Sequence, residues 1–197
     1  MKLEIWFEFA STYSYLTVCR AESLLNEAQI DYEWRPFLLG PIFKDKGLQT
    51  SPFVLDEQKG AYMWRDVERR AKRQNLPFAR PLTFPMNGLK AARIATAARD
   101  EAWSSKFIRA VFDAQFAKGS DISDDIVLGG ALTSCGADPE HWMTLSEQDE
   151  IKRVLRDTTE KARAKGIFGA PSFVVGTELF WGDDRLEDAI AWATGDR

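Results

Sequence analysis

The chain has 197 residues, 45% of them apolar and 12% aromatic, enough for one large domain or a small domain carrying an insertion. Its 30 acidic and 26 basic residues leave a net charge of −4, without the clustered basic surface that nucleic-acid phosphates require. No apolar run approaches the roughly 18 residues that span a bilayer. The start, Met1-Lys2-Leu3-Glu4-Ile5, runs straight into a strand-like pattern and not into a secretory signal, so a cytoplasmic location is expected. Cys19 and Cys135 fit neither a C-x-x-C nor a metal-ligand spacing and read as buried small hydrophobes. His141 is the single histidine, which leaves too few parts for a zinc site or a Ser-His-Asp triad, and no metal is expected. It follows Asp138-Pro139, a pair suited to the cap and first turn of a helix.

In chain order, Leu3, Ile5, Phe7 and Phe9 alternate with Lys2, Glu4, Trp6 and Glu8, the period of a strand. Ser11 or Thr12 can cap a helix over 13–28, and Asp31 to Phe37 reads as a second strand ending at Pro36. Together they form a βαβ unit, whose crossover is right-handed. Residues 38–59, with Gly40, Pro41, Gly47 and Pro52, read as a long loop, a length that usually signals function or mobility. From Ala61 to Lys165 the pattern is helical throughout, in segments near 61–75, 87–100, 103–117, 123–135, 138–144 and 147–165. Ser146 with Asp149 looks like a loose capping box for the last of these. Ser172 to Val175 and Glu178 to Trp181 then form a hairpin about Gly176-Thr177. Asp184 with Glu187 reads as the capping box of a final helix.

A βαβ unit at the front and a ββα unit at the back therefore flank an all-helical middle. The expected fold is an α/β thioredoxin-like domain, discontinuous over 1–37 and 166–197, with a loop and inserted helical domain over 38–165.

Three stretches can carry chemistry. Ser11 lies at the junction of strand and helix, where backbone N–H groups are unpaired. It can serve simply as an N-cap, worth about 1 kcal/mol, or donate a hydrogen bond to a bound thiolate. Free thiols ionise near a pKa of about 8.5, and such a donor lowers that value. No histidine stands ready to deprotonate Ser11, so it is not read as a covalent nucleophile. In Gly169-Ala170-Pro171-Ser172, a Pro before a strand is compatible with an ordinary turn or with a cis bond. A cis bond would turn the Ala170 backbone outward to pair with an extended peptide. In Trp181-Gly182-Asp183-Asp184-Arg185-Leu186, two carboxylates at a helix start can cap the helix or grip an ammonium group.

Taken together, Phe7-x-Phe9-x-Ser11-x-x-Ser14-Tyr15-Leu16, Gly169-Ala170-Pro171 and Trp181-Gly182-x-Asp184-Arg185-Leu186 resemble the 2-hydroxychromene-2-carboxylate isomerases. These group with kappa-class glutathione transferases in the DsbA-like branch of the thioredoxin superfamily, and the resemblance runs the length of the chain. It implies glutathione as cofactor, with Ser11 at the sulfur and Ala170, before a cis Pro171, pairing with the cysteinyl backbone. It further implies that Trp181, Gly182, Asp183 and Asp184 line the γ-glutamyl end and that Lys59 helps hold glutathione. Lys44 would lie near an acidic substrate, with Met86 and Asn87 at the substrate pocket. The chain departs from the pattern at Thr12, where many relatives have Pro, and at Asp183, often Asn or Ser. The substrate-loop asparagine is not found around Ser51-Pro52-Phe53-Val54.

The implied activity is cis–trans isomerisation of a small aromatic carboxylate through reversible thiolate addition, in a homodimer. The alternatives are a kappa-like transferase, whose product keeps the sulfur, and a non-catalytic thiol- or peptide-binding module. A dithiol oxidoreductase is disfavoured, because Ser11 and Ser14 occupy both C-x-x-C positions.

Overall fold

A computed structural model describes residues 1–195; the last two residues of the expected C-terminal segment lie outside the described residues. Four strands, β1 (Leu3–Phe7), β2 (Tyr32–Pro36), β3 (Ser172–Val175) and β4 (Glu178–Trp181), form one sheet in the order β2-β1-β3-β4. β1 pairs parallel to β2 and antiparallel to β3, and β3 pairs antiparallel to β4. This is the mixed α/β thioredoxin-like architecture that the alternation and the hairpin signal predict.

β1 is an inner strand, paired along both edges, and a hydrophobic cluster packs against each of its faces. Leu3 and Ile5 join Phe173, Val175, Leu25, Leu186 and Ala189 on one side. Trp6, grouped with the polar positions in the sequence pattern, packs on the other side with Phe37, Ile42, Ala162 and Val174. Its indole meets the Phe37 ring edge-on at 6.0 Å, and its Nε1 donates to Glu4, which resolves the mixed character of that face.

The helix expected over 13–28 is two helices, α1 (Thr12–Val18) and α2 (Ala21–Glu27). The break falls at Cys19-Arg20, where the Arg20 guanidinium reaches Asp183 and Glu187 on the far side of the chain. The residue at the break, with non-helical backbone (φ −130°, ψ −19°), is thus also the one that pairs across the chain. The expected loop over 38–59 contains α3 (Leu39–Asp45) and α4 (Pro52–Leu55). Gly40, Pro41 and Pro52 all fall in first turns, where a missing N–H breaks no helical bond, so they do not forbid helices there.

The helical middle follows as α5 (Glu57–Arg73), α6 (Leu89–Ala97), α7 (Ser104–Phe112), α8 (Asp125–Ser134), α9 (Pro139–Ser146) and α10 (Asp149–Ala164). A π-turn over Asp113–Ala117 extends α7. Phe107, Val111, Phe112 and Phe116 build its core, into which Phe7, Phe9, Tyr15 and Leu16 project from the strand and α1. Asp138 caps α9 with Pro139 in its first turn, as the sequence suggests.

Neither expected capping box forms. The Ser146 hydroxyl donates back to Met143 O, and Gln148 precedes α10 without a side-chain bond. Asp183–Arg185 forms a short 3₁₀ turn ahead of α11 (Leu186–Thr194), and Glu187 pairs with Arg20 instead. Cys19 and Cys135 are free thiols, both only partly buried. No helix among the described residues is long and apolar enough to cross a membrane, and no cluster of potential metal ligands occurs among them.

Candidate active site

The C-terminal end of β1, the start of α1, the turn before β3 and the turn after β4 converge on one side of the sheet. Together with α3, α4, α5 and the segment before α6, they enclose a cleft of about 1240 Å³. A void of that size accommodates a tripeptide and a small aromatic molecule.

Ser11 lies at its floor. Its backbone is extended (φ −84°, ψ 117°), and its Oγ accepts from Ser14 N at 3.2 Å, so it does cap α1. The same hydroxyl donates to Ala170 O at 2.8 Å. Its proton is therefore directed at the chain turn that precedes cis-Pro171, not at a general base. Ser14 is fully buried, and its hydroxyl has no partner among the described residues. A second cis bond, Phe84–Pro85, shapes the opposite wall, where Met86 is buried and Asn87 Oδ1 accepts from Leu89 N at 3.1 Å.

Two glycines set the approach of the C-terminal turn. A β-carbon on Gly169 would lie 2.3 Å from Trp181 Nε1, so only glycine lets that indole close over the turn. Trp181 packs on Phe168 at 4.8 Å between ring centroids and stays half-exposed, and Lys46 Nζ lies 5.2 Å from the Phe168 ring centre. Gly182 has φ +114°, a region closed to other residues, and donates to Pro171 O at 3.0 Å. That bond ties the Trp181–Asp184 turn to the Ala170–Pro171 turn.

The two adjacent aspartates have different surroundings. Asp183 is buried with no side-chain exposure, and its carboxylate meets Arg20, Arg70 and the Thr17 hydroxyl, the last at 3.1 Å. Burial pushes its pKa up while the two guanidiniums and the hydroxyl draw it back. Asp184 is half-exposed and among the described residues pairs only with Arg185, at 3.3 Å. A carboxylate available to an ammonium group is thus present at 184, while that of 183 is already engaged.

Ser11, Lys59, Met86, Asn87, Ala170, Trp181, Gly182, Asp183 and Asp184 all border the cleft. Pro171 is not among its lining residues and acts through its neighbours Ala170 and Gly182. The structure does not bring Lys44 to the cleft: it is exposed on the last turn of α3, and Lys46 borders the cleft in its place. The correction has a helical cause, since α3 turns residues 44 and 46 to different sides of the segment that the sequence presents as loop.

Sequence reasoning gave no role to Glu8, Tyr13, Gln49, Thr50, Asp66 and Arg70, which also line the cleft, as does Phe168 at the head of the Gly169–Pro171 stretch. Glu8 reads as a solvent-facing member of the strand alternation, but β1 ends at Phe7 and the next residue turns into the cleft. Burial pushes its pKa from 4.5 to about 7, partly offset by a bond from the Ala10 amide. Tyr13 donates to Asp66 at 3.2 Å; burial, with the Asp66 charge adding to it, holds its phenol strongly protonated. Its place two residues after Ser11, on the same short helix, is the one signal that points to it.

Residues 2–190 match the DSBA-like thioredoxin domain, and the chain belongs to that family. Within it, the chain is 26% identical to 2-hydroxychromene-2-carboxylate isomerase of Sphingobium xenophagum, over 94% of each chain. It is 28% identical to glutathione S-transferase kappa 1 of Homo sapiens, over 94% of this chain and 87% of the relative. Both relatives are enzymes by name. A solved structure of a 2-hydroxychromene-2-carboxylate isomerase superposes with a TM-score of 0.89 at 21% identity, covering 100% of this chain and 95% of that one. The Pseudomonas aeruginosa cytosolic disulfide reductase DsbM with GSH superposes at 0.68 and 12% identity, covering 100% and 98%. The two structural likenesses define the fold.

Proposed function

We propose that this protein is a glutathione-dependent cis–trans isomerase acting on 2-hydroxychromene-2-carboxylate or a related aromatic carboxylate. The observation that carries the reading is Ser11: a hydroxyl, not a thiol, at the cleft floor, 2.8 Å from the carbonyl of Ala170. A protein that lacks cysteine at both positions 11 and 14 has no dithiol of its own there, so sulfur chemistry in this cleft needs a thiol supplied by a ligand.

The residues present fit glutathione. Ala170 offers backbone groups beside Ser11, Asp184 a half-exposed carboxylate for the γ-glutamyl ammonium, and Lys59 an exposed cation at the head of α5. Asp183 holds the turn together through Arg20 and Arg70 and leaves ligand contact to Asp184. When bound, glutathione supplies a thiolate that adds to a conjugated carbon, permits rotation about the former double bond, and leaves unchanged.

Ser11 would then donate its hydrogen bond to the sulfur, keeping its proton, while Ala170 O accepts from the ligand amide in exchange, an arrangement that favours the charged sulfur. Lys46 faces the substrate carboxylate from the cleft edge, and Met86 and Asn87 form the wall against which the aromatic ring is placed. Phe168 and Trp181 pack on each other at the edge of the cleft. The chain is placed here as a cytoplasmic homodimer by its family resemblance alone.

A kappa-like glutathione transferase uses the same residues, and the similarity to the human kappa enzyme favours it as the second reading. Product mass separates the two. Isomerisation returns a product of the substrate's own mass, formed only when glutathione is present; transfer returns an adduct that keeps the sulfur. An equal rate with and without glutathione rejects both.

A further inference from the structure

Glu8 is a charged side chain in the cleft with no assigned part in the proposed chemistry. Its carbonyl accepts from Ser11 N at 3.0 Å, so its backbone fixes the turn that presents the serine. Glu8 borders the cleft together with Ser11, Met86, Asn87 and Gly88. Glu8 Oε1 stands 3.6 Å from the point where a β-carbon on Gly88 would lie, which lodges the carboxyl against the substrate wall.

No lysine or arginine pairs with it among the described residues, although four line the cleft. Lys59 pairs with Asp56, Arg70 with Asp183, Arg185 with Asp184 and Asp188, and Lys46 lies over Phe168. The remaining acids of the cleft are likewise engaged, Asp66 by Tyr13 and Arg69, and Asp183 and Asp184 by arginines. Of the four cleft carboxylates, Glu8 is the one with no cationic partner among the described residues.

We propose that Glu8 is the proton acceptor of this cleft: with its carboxyl set against Gly88 and its backbone carbonyl holding the Ser11 amide, it takes the S–H proton of the incoming thiol as Ser11 receives the sulfur. The inference rests on the glutathione reading. The S–H bond breaks with its electron pair left on sulfur, and an O–H bond forms on the carboxylate. One negative charge is exchanged for another, and the cleft's net charge is unchanged.

The electrostatics require this coupling. A thiolate formed beside an ionised Glu8 would set two anions against each other in a partly buried space, and each would raise the other's pKa. One proton shared between them removes the conflict. Burial has already brought Glu8 to a pKa of about 7, close below the roughly 8.5 of a free thiol, so the proton passes between nearly matched groups. Protonating Asp183 would break its ion pairs with Arg20 and Arg70, whereas protonating Glu8 breaks none.

The test follows the proton. Glutathione is titrated into the wild-type chain at pH 8 in buffers of different ionisation enthalpy, and the thiolate is read by its ultraviolet absorbance. The proposal expects thiolate to appear with almost no proton released to buffer, and a protonated-carboxyl band to appear in the infrared difference spectrum. Glu8→Gln should lose that band and either form no thiolate or release most of a proton for each one formed. Wild-type thiolate accompanied by most of a proton, or an infrared spectrum without the band, overturns the role of Glu8 while leaving glutathione binding intact. Absence of any binding heat overturns the glutathione reading and this inference with it. The infrared experiment on the wild-type chain decides the matter if Glu8→Gln does not fold.

Discussion

The Ser11 hydroxyl and the Ala170 carbonyl, 159 residues apart in sequence, are joined by a 2.8 Å hydrogen bond at the floor of the cleft. The bond links the two halves of the thioredoxin-like sheet and holds together the two groups that the proposed chemistry uses. In this structure each satisfies the other. A ligand amide that donates to Ala170 O frees the Ser11 proton for the ligand's sulfur, so backbone recognition and sulfur stabilisation become one event.

The contrast between Asp183 and Asp184 leads to opposite expectations. Asp183→Asn leaves Arg20 and Arg70 facing a neutral group in a buried site and should destabilise the fold by about 3 kcal/mol. Asp184→Ala removes a half-exposed carboxylate and should change stability by less than about 0.5 kcal/mol while weakening glutathione binding roughly tenfold. Urea unfolding and calorimetry on both variants distinguish them; equal effects on stability would contradict the division of roles.

Gly182→Ala should both destabilise and loosen the site. Its φ of +114° is strained for any side chain, and the added β-carbon would lie 2.6 Å from Asp184 Oδ1. A loss of about 1–3 kcal/mol is expected, with weaker glutathione binding because Asp184 is pushed aside. Unchanged stability in chemical denaturation would show that the turn is not held as described.

Glu8 gives the fold a specific pH dependence. Its folded-state pKa of about 7 lies above the ordinary 4.5, so the native state binds more protons than the unfolded state between those values. Stability attributable to this group is therefore present below pH ~4.5 and lost as pH rises to about 7 and beyond, up to about 3 kcal/mol in all. Glu8→Gln should be more stable than the wild type at pH 8, with the advantage fading toward pH 4.5. Denaturation series at the two pH values check the sign; a variant less stable at pH 8 than the wild type would reverse it. Such a cost is of the kind carried by functional groups.

Lys46, not Lys44, borders the cleft, and the two should behave differently toward an acidic substrate. Lys46→Ala should raise KM about tenfold with little effect on kcat, the loss of one charge contact worth about 1.4 kcal/mol. Lys44→Ala should leave both within about twofold. Steady-state kinetics on the chromene carboxylate measures the pair, and the reverse pattern would restore Lys44 to the site.

The strands and the order of elements were legible because they rest on local pattern: β3 and β4 fall at the residues the hairpin signal marks. What was hidden depends on contacts across the chain. The break at Arg20 and the engagement of Asp183 are two ends of one buried pairing that neither local sequence contains. Glu8 was disguised by a strand alternation that ends one residue before it. Motif order brought Ser11, Ala170 and the 181–184 turn to attention, but only the fold shows that Ser11 bonds Ala170 and that Gly182 bonds Pro171.

The central claim is that the Ser11 hydroxyl stabilises a ligand's sulfur anion. Ultraviolet titration of glutathione bound to the wild type and to Ser11→Ala tests it most directly. A charge-assisted hydrogen bond of about 1.5–3 kcal/mol corresponds to a shift of about one to two pKa units. The bound thiol should ionise that far below its free value of about 8.5 in the wild type and return close to it in the variant. Superimposable titration curves for the two proteins would contradict the account.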